Sequence, residues 1–377
     1  MGVYSEAAAM QMREAQAVES FRFTDLLEFA VNTERNNQNM FNALLELDFQ
    51  EAVAVQNGGY LTEQETEKSE NKVIAKIKAI GSQIIKALEK FLETLGTFWN
   101  KLVLKVQEFT GRNKKLVTRF GSIVIADVKA GLGENSMKLT KYEDKDIFSG
   151  PLSKISSLRA EYTGLFDIAK TADDKGSVTD LVDEAVKKIN GEDCSVSAEE
   201  MGNLFNEVDI NVYLNDINYV KNLNENLQSG YKSQLAAIQS KITEAQAATK
   251  KDIAVAKKLL NPVNLIKNKP ADYAVINANA KYRVCNALNA KFTGLLSQAT
   301  KVAIRKMTVD RAAYIKLGKL ADAGKKAAES GKKSEEAKTD EEKKVAQEAA
   351  ISIQEAAVAE CFLLELANDE YMEALFA

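Results

Sequence analysis

The side chains able to do chemistry in this chain are carboxylates, lysines, tyrosines and three cysteines, because its 377 residues include no histidine. That absence removes Ser/His/Asp and Cys/His catalysis, histidine-ligated zinc, haem held by a proximal histidine and any histidine pH switch. Cys194, Cys285 and Cys361 are far apart, with no Cys-x-x-Cys spacing to ligate a metal or exchange electrons. They read as small buried apolar residues of a reducing compartment. Acidic pairs such as Asp209 with Asp216 have the residue types for metal ligation or acid/base work, but isolated carboxylates on helices are ordinarily solvated and no second cluster converges on them. Gly131-Leu132-Gly133 lacks the third glycine and the Gly-Lys-Ser/Thr of a phosphate loop and reads as a turn. We therefore expect no catalytic, cofactor-binding or metal site, and no enzyme.

Charge is the stronger signal. The formal net charge of −4 hides segregation: residues 1–51 hold nine acidic side chains against three arginines, whereas residues 72–119 hold nine lysines and two arginines against three glutamates. Beyond Lys344 there are seven acidic residues and no basic one. Such a layout lets acidic ends lie against a basic middle, within one chain or between neighbours, and lets the basic part face phosphate. Solvated helix faces are the plainer alternative, since exposed charge pairs contribute little individually.

The basic stretch is also the clearest helix in the sequence. Val73, Ile77, Ile80, Ile84, Leu88, Phe91, Leu95, Phe98, Leu102 and Val106 recur at steps of three and four, and Ile74, Ile85, Leu92, Trp99 and Val103 widen the stripe beyond a coiled-coil seam. Thr62 to Glu65 fits a capping box at its start, and Gly81 and Gly96 predict a bend or break. Lys72, Lys76, Lys78, Lys86, Lys90, Lys101 and Lys105, with Trp99, form the candidate interaction residues. A wide apolar stripe most often packs in a bundle core. The same residues could lie on a membrane surface or meet partner helices or nucleic acid. The aromatics follow the apolar stripe and not the lysines, an arrangement for packing and not for base stacking, so DNA contact is expected to be non-specific and salt-sensitive.

Three prolines in the whole chain point to long helices around this element. The expected fold class is mostly α, an elongated multi-helix bundle with a small irregular or strand-containing insert. An acidic helical hairpin is expected over 1–62, the basic amphipathic helix over 63–111, and the insert over 112–150. In the insert, Leu116-Val117 and Ser122 to Val128 read as short β-branched strands and Met137 to Phe148 as irregular. A long-helix bundle follows over 151–321: two short helices before Asn190, a helix starting at Ser197-Ala198-Glu199-Glu200, and long antiparallel helices from Asp209 onward. Residues 322–344, almost all Lys, Glu, Ala, Ser and Gly, form a charged linker or exposed helix unable to supply a core of its own. Residues 345–377 turn apolar again and should dock onto something. No segment reaches the roughly 18 apolar residues of a spanning helix, and Met1 to Ser20 lacks the basic start and apolar core of a signal peptide.

The order of these features carries a resemblance. Phe41-Asn42-Ala43-Leu44-Leu45-Glu46, the Glu-rich step Glu63 to Glu70, the Lys-Ile-rich helix Lys72 to Val106, and Asn113-Lys114-Lys115-Leu116-Val117 with Arg119-Phe120 resemble virion structural proteins of large tailed bacteriophages. The likeness covers about the first third of the chain. It implies a non-enzymatic helical protein, made in the host cytoplasm and packaged in the virion, whose partners are other virion proteins and further copies of itself. The alternative is a helical membrane-active or pore-forming protein that uses residues 72–106.

Overall fold

A computed structural model of the protein describes residues 63–163, 175–259, 261, 271–336 and 339–376. The expected N-terminal hairpin and the Thr62 cap lie outside the described residues. The rest is mostly α. Helix α1 runs Glu63–Phe120, α2 Ile125–Leu132, α3 Ser149–Thr163, α4 Lys175–Gly191, α5 Ala198–Gly202, α6 Ile210–Asn215, α7 Ile217–Glu225, α8 Tyr231–Leu259, α9 Ala271–Glu336 and α10 Asp340–Phe376. One two-stranded antiparallel sheet, β1 (Lys138–Tyr142) with β2 (Phe205–Asp209), completes the described residues.

The molecule is organised along α9. Its 66 residues make a rod of roughly 100 Å at 1.5 Å per residue, and α1, with 58, is nearly as long. Successive stretches of α9 enter successive core clusters. Val284, Leu288 and Leu295 meet Ile155, Leu158, Val182 and Ile189 of α3 and α4. Phe292, Leu296 and Ala303 meet Phe91, Leu95, Phe98 and Leu102 of α1 and Ile238 and Ile242 of α8. Further along, Met307, Tyr314, Leu317 and Leu320 meet Phe120, Val128, Leu132, Tyr213 and Cys361. Each fully buried leucine or isoleucine contributes about 1.5–3 kcal/mol through its burial.

Pairings along the rods give their directions. Asp252 of α8 lies by Cys285 and Tyr219 of α7 by Asp310, while Asn113 of α1 bonds Tyr231 and Glu89 pairs with Lys257. Helix α8 therefore runs against α1 and α9, as the expected antiparallel arrangement requires. Helix α10 folds back along α9, with Glu360 paired to Lys319 and Ser334 bonded to the Lys343 carbonyl. Thr339 and Glu342 exchange side-chain-to-backbone hydrogen bonds at its start, a capping box.

Several local expectations are corrected. Helix α1 passes Gly81, Gly96 and Gly111 without a break and ends only at Phe120. At Gly96 and Gly111 an added Cβ would meet nothing within 4 Å, so these glycines mark no crossing or turn. Leu116-Val117 belongs to α1, and Ile125 to Val128 to α2, where strands were expected. Their β-branched side chains gave a strand signal, but Ile125, Val128 and Leu132 pack on the core at helical spacing, so tertiary burial overrides propensity. The strand is instead in the segment read as irregular, Lys138–Tyr142, and it pairs with a partner more than sixty residues away in the chain.

Sequence spacing from Leu214 to Ile242 identified the buried face but not the breaks. Asp216 starts a new helix, its side chain accepting from the Tyr219 amide, and Asn226–Gly230 is a π-helical turn. Leu223, Leu227 and Tyr231 are all buried. Steps of four overshoot an α-helical turn of 3.6 residues, and the wider π turn returns them to one face. Residues 322–344, expected as a charged linker or exposed helix, are helical as far as Glu336 and again from Asp340, and Ala323, Ala327 and Ser334 are buried. Small side chains supply no bulk, but they let α9 be covered closely.

Candidate functional site

The apolar stripe of α1 is a core element. Phe91, Leu95, Phe98 and Leu102 pack between α8 and α9, Val106 joins the adjoining cluster, and Leu88 is buried. Over Phe91 to Val106 this apolar face is thus turned onto its own bundle, while the side chains of Val73, Ile77, Ile80 and Ile84 lie outside the described ones. Trp99 is half-buried at the edge of this core and Lys101 is half-buried. Lys86 and Lys90 are exposed, interleaved with exposed Glu89 and Glu93. That alternation weakens the positive field of this stretch. Lys72, Lys76, Lys78 and Lys105 lie on α1 by backbone position, and their side chains lie outside the described ones. Lys86, Lys90, Trp99 and Lys101 therefore fall along one helix, with no convergence into a pocket.

The structure draws together a different polar set. Asp310 on α9 is only 4% exposed, with Lys306 3.7 Å away one turn earlier. Tyr219 of α7 donates its hydroxyl to Asp310 at 3.3 Å, and its ring meets Tyr213 of α6 edge-on at 4.6 Å between centroids. The Lys141 ammonium from β1 lies over the Tyr219 ring and bonds Asp216 at 3.0 Å. Lys306 lies over Tyr142, and Arg305 over Phe205. Cations and rings thus fasten the β1–β2 sheet and α6–α7 to α9.

Electrostatics follow from burial. Desolvation raises the Asp310 carboxyl above the usual range, opposed by Lys306 and by the Tyr219 hydrogen bond. Tyr142 is pushed up to about 12 by burial and by nearby Asp144, Asp310 and Asp146. Burial also raises Tyr219, Tyr231 and Tyr213 above the ordinary phenol range. Conversely, the Lys141 hydrogen bond, followed by the Tyr219 amide, holds Asp216 low. The Tyr213 hydroxyl has no hydrogen-bond partner among the described residues.

Sequence reading missed this node. Its one signal was the i, i+4 spacing of Lys306 and Asp310, a charge pair that needs a partner from elsewhere when it falls on the buried side of a helix. The arrangement pins elements together. Asp209 and Asp216, the acidic pair considered for chemistry, are helix caps, accepting from the Asn211 and Tyr219 amides. Cys194, Cys285 and Cys361 are buried thiols outside any disulfide. Among the described residues no group of three or more Cys, Asp or Glu gathers to hold a metal, and no helix is long and apolar enough to cross a membrane.

Helix α10 has a covered and an uncovered side. Helix α10 covers α9 with Ala357 and Cys361, and half-buried Ile353 and Val358 join them. Its other side exposes Val345, Ile351, Phe362 and Leu363.

Fold and site together define a mostly α bundle of long rods, with a polar node that joins β1, α6 and α7 to α9 and with exposed large apolar residues on several helices, Leu104 of α1, Val212 of α6 and Ile217 of α7 as well as those of α10. No protein-family model, no curated protein and no solved structure matches the chain.

Proposed function

We propose that the protein is a non-enzymatic structural component of a bacteriophage virion, made in the host cytoplasm and assembled by helix packing and charge complementarity. Its partners in this reading are other virion proteins and further copies of itself, with DNA contact, if the lysines of α1 reach phosphate, non-specific and weakened by salt.

The observation that carries the assembly part is the outward face of α10. Large apolar side chains in water at Val345, Ile351, Phe362 and Leu363 are a surface built to be covered. The long rods α1 and α9 suit a protein that spans distance within a larger structure. Support for the virion comes from the resemblance in the first third of the chain.

Mass spectrometry of density-gradient-purified particles from the source tests the reading. The protein is expected in the particle fraction at a fixed ratio to the main capsid protein, retained after high-salt washing. Its absence from the particles would defeat this function.

A further inference from the structure

Asp310 is the only buried carboxylate among the described residues. An ionised carboxylate can accept about four hydrogen bonds. Here, among the described residues, the Tyr219 hydroxyl reaches it at 3.3 Å and the Lys306 ammonium stands 3.7 Å away. The neighbouring Tyr213 hydroxyl, on a residue 1% exposed, bonds neither group. The charge is therefore buried with little to replace its water, and burial lifts the carboxyl above its usual range.

The other charged and titratable groups around it do not supply that compensation. On its own helix Arg305 lies over Phe205, Lys306 also lies over the Tyr142 ring, and the charge of Arg311 acts on Tyr231. From α7 comes Tyr219, with Asp216 at the helix start. Lys141 of β1 is engaged by Asp216. Tyr213 comes from α6, and Tyr231 of α8 is bonded by Asn113 of α1. Asp144 and Asp146 act on Tyr142 and add negative charge on that side.

These contacts hold one layer onto α9. Phe205, Tyr142 and Tyr219 meet Arg305, Lys306 and Asp310 respectively, so the polar attachments of β1–β2 and α7 all fall within six residues of α9. Lys141 ties the sheet to α7 through Asp216 and the Tyr219 ring, so the two move together. The layer joins α8 at the π turn Asn226–Gly230, a break in the helical repeat. The core cluster of Phe91 to Leu102, Ile238 to Ala245 and Phe292 to Ala303 contains no residue of it.

We propose that Asp310 is a protonation switch that sets how often the layer of β1–β2, α6 and α7 lifts from α9 while the α1–α8–α9 core stays folded. Protonated, Asp310 is neutral, and its O–H donates to the Tyr219 oxygen, so the bond survives with its direction reversed. The proton is taken from solvent. Ionised, the carboxylate gains water only when the layer lifts. Lifting also uncovers Leu139, Ile210 and Leu214, so the open form is a minor one and pH sets its population. The switch goes beyond the assembly reading and does not depend on it.

Native-state hydrogen exchange of the purified full chain, corrected for intrinsic rates, tests this. Residues 138–142 and 205–225 should exchange ahead of 91–102 and 238–245, with a smaller dependence on urea, the mark of an opening that leaves the core folded. Their protection should fall several-fold as pH rises from the ordinary carboxylate range to neutral. Asp310→Asn, uncharged throughout, should abolish that fall. Lys306→Gln removes the nearest cation and should move the fall to higher pH. Exchange of the layer together with the core, protection indifferent to pH, or the same fall in Asp310→Asn would each overturn the proposal. Should Asp310→Asn not fold, Lys306→Gln decides: a fall left at the parent's pH means that another group titrates.

Discussion

Gly131 of α2 and Gly324 of α9 face each other where the two helices cross, backbone against backbone. A Cβ on Gly131 would fall on the Leu320 carbonyl and 2.9 Å from the Gly324 nitrogen, and one on Gly324 would fall on the Asp127 carbonyl and 2.8 Å from the Gly131 nitrogen. Nearby, Gly318 leaves room for the Phe120 ring, whose carbonyl accepts a 3.0 Å hydrogen bond from Tyr314. Three glycines thus set how closely the end of α1 and all of α2 approach the spine.

Gly131→Ala and Gly324→Ala should each destabilise by at least the ~1–3 kcal/mol of an overpacked core, because the obstructing atoms are backbone and cannot swing away. The double variant should cost less than the sum, since both relieve or strain one crossing. Gly294→Ala, in α9 with nothing within 4 Å, should be neutral or stabilise by up to about 1 kcal/mol. Urea denaturation of the three variants beside the parent checks the order.

Asp310 should give stability a pH dependence of identifiable sign. With its folded-state value raised by burial, the folded chain binds a proton where the unfolded chain has lost it. Stability should therefore fall as pH rises from the ordinary carboxylate range through the raised value. Asp310→Asn should flatten that part of the profile. A urea-midpoint series across acidic to neutral pH reads it, and an unchanged slope in the variant would assign the dependence to other groups.

Phenols wholly or half withdrawn from water predict behaviour at alkaline pH. Tyr142, Tyr213, Tyr219 and Tyr231 are all held neutral beyond the ordinary tyrosine range by burial. The unfolded state loses these protons first, so stability should drop once pH passes about 10. Tyrosinate absorbance should rise in two phases, the later one coinciding with loss of helical circular dichroism. A single phase at ordinary values would mean these side chains are accessible to solvent.

On α1, Leu88→Asp should unfold the bundle or lower its stability by several kcal/mol, since it places an unpaired charge at a position only 5% exposed. Lys86→Gln with Lys90→Gln should leave the melting temperature within experimental scatter, both lysines being exposed. Thermal melts followed at the helical band distinguish the two. Normal folding of Leu88→Asp would make the stripe an outer surface and overturn its core assignment.

Proline scarcity and three-and-four periodicity settled the helical class and the buried faces of α1, α8 and α9, because helix formation and amphipathic burial are local patterns with a fixed repeat. The Ser197 to Glu200 capping box was legible for the same reason, its hydrogen bonds closing within three residues. What sequence could not set is everything that depends on distant partners. Lys138–Tyr142 is a strand only because Phe205–Asp209 comes beside it. Ala323, Gly324 and Ala327 are packed because distant helices reach them, and the same residues read alone have no bulk to bury. Asp310 became a buried ion only through where α7 and β1 fold, and the two faces of α10 were told apart only by which one α9 had already covered.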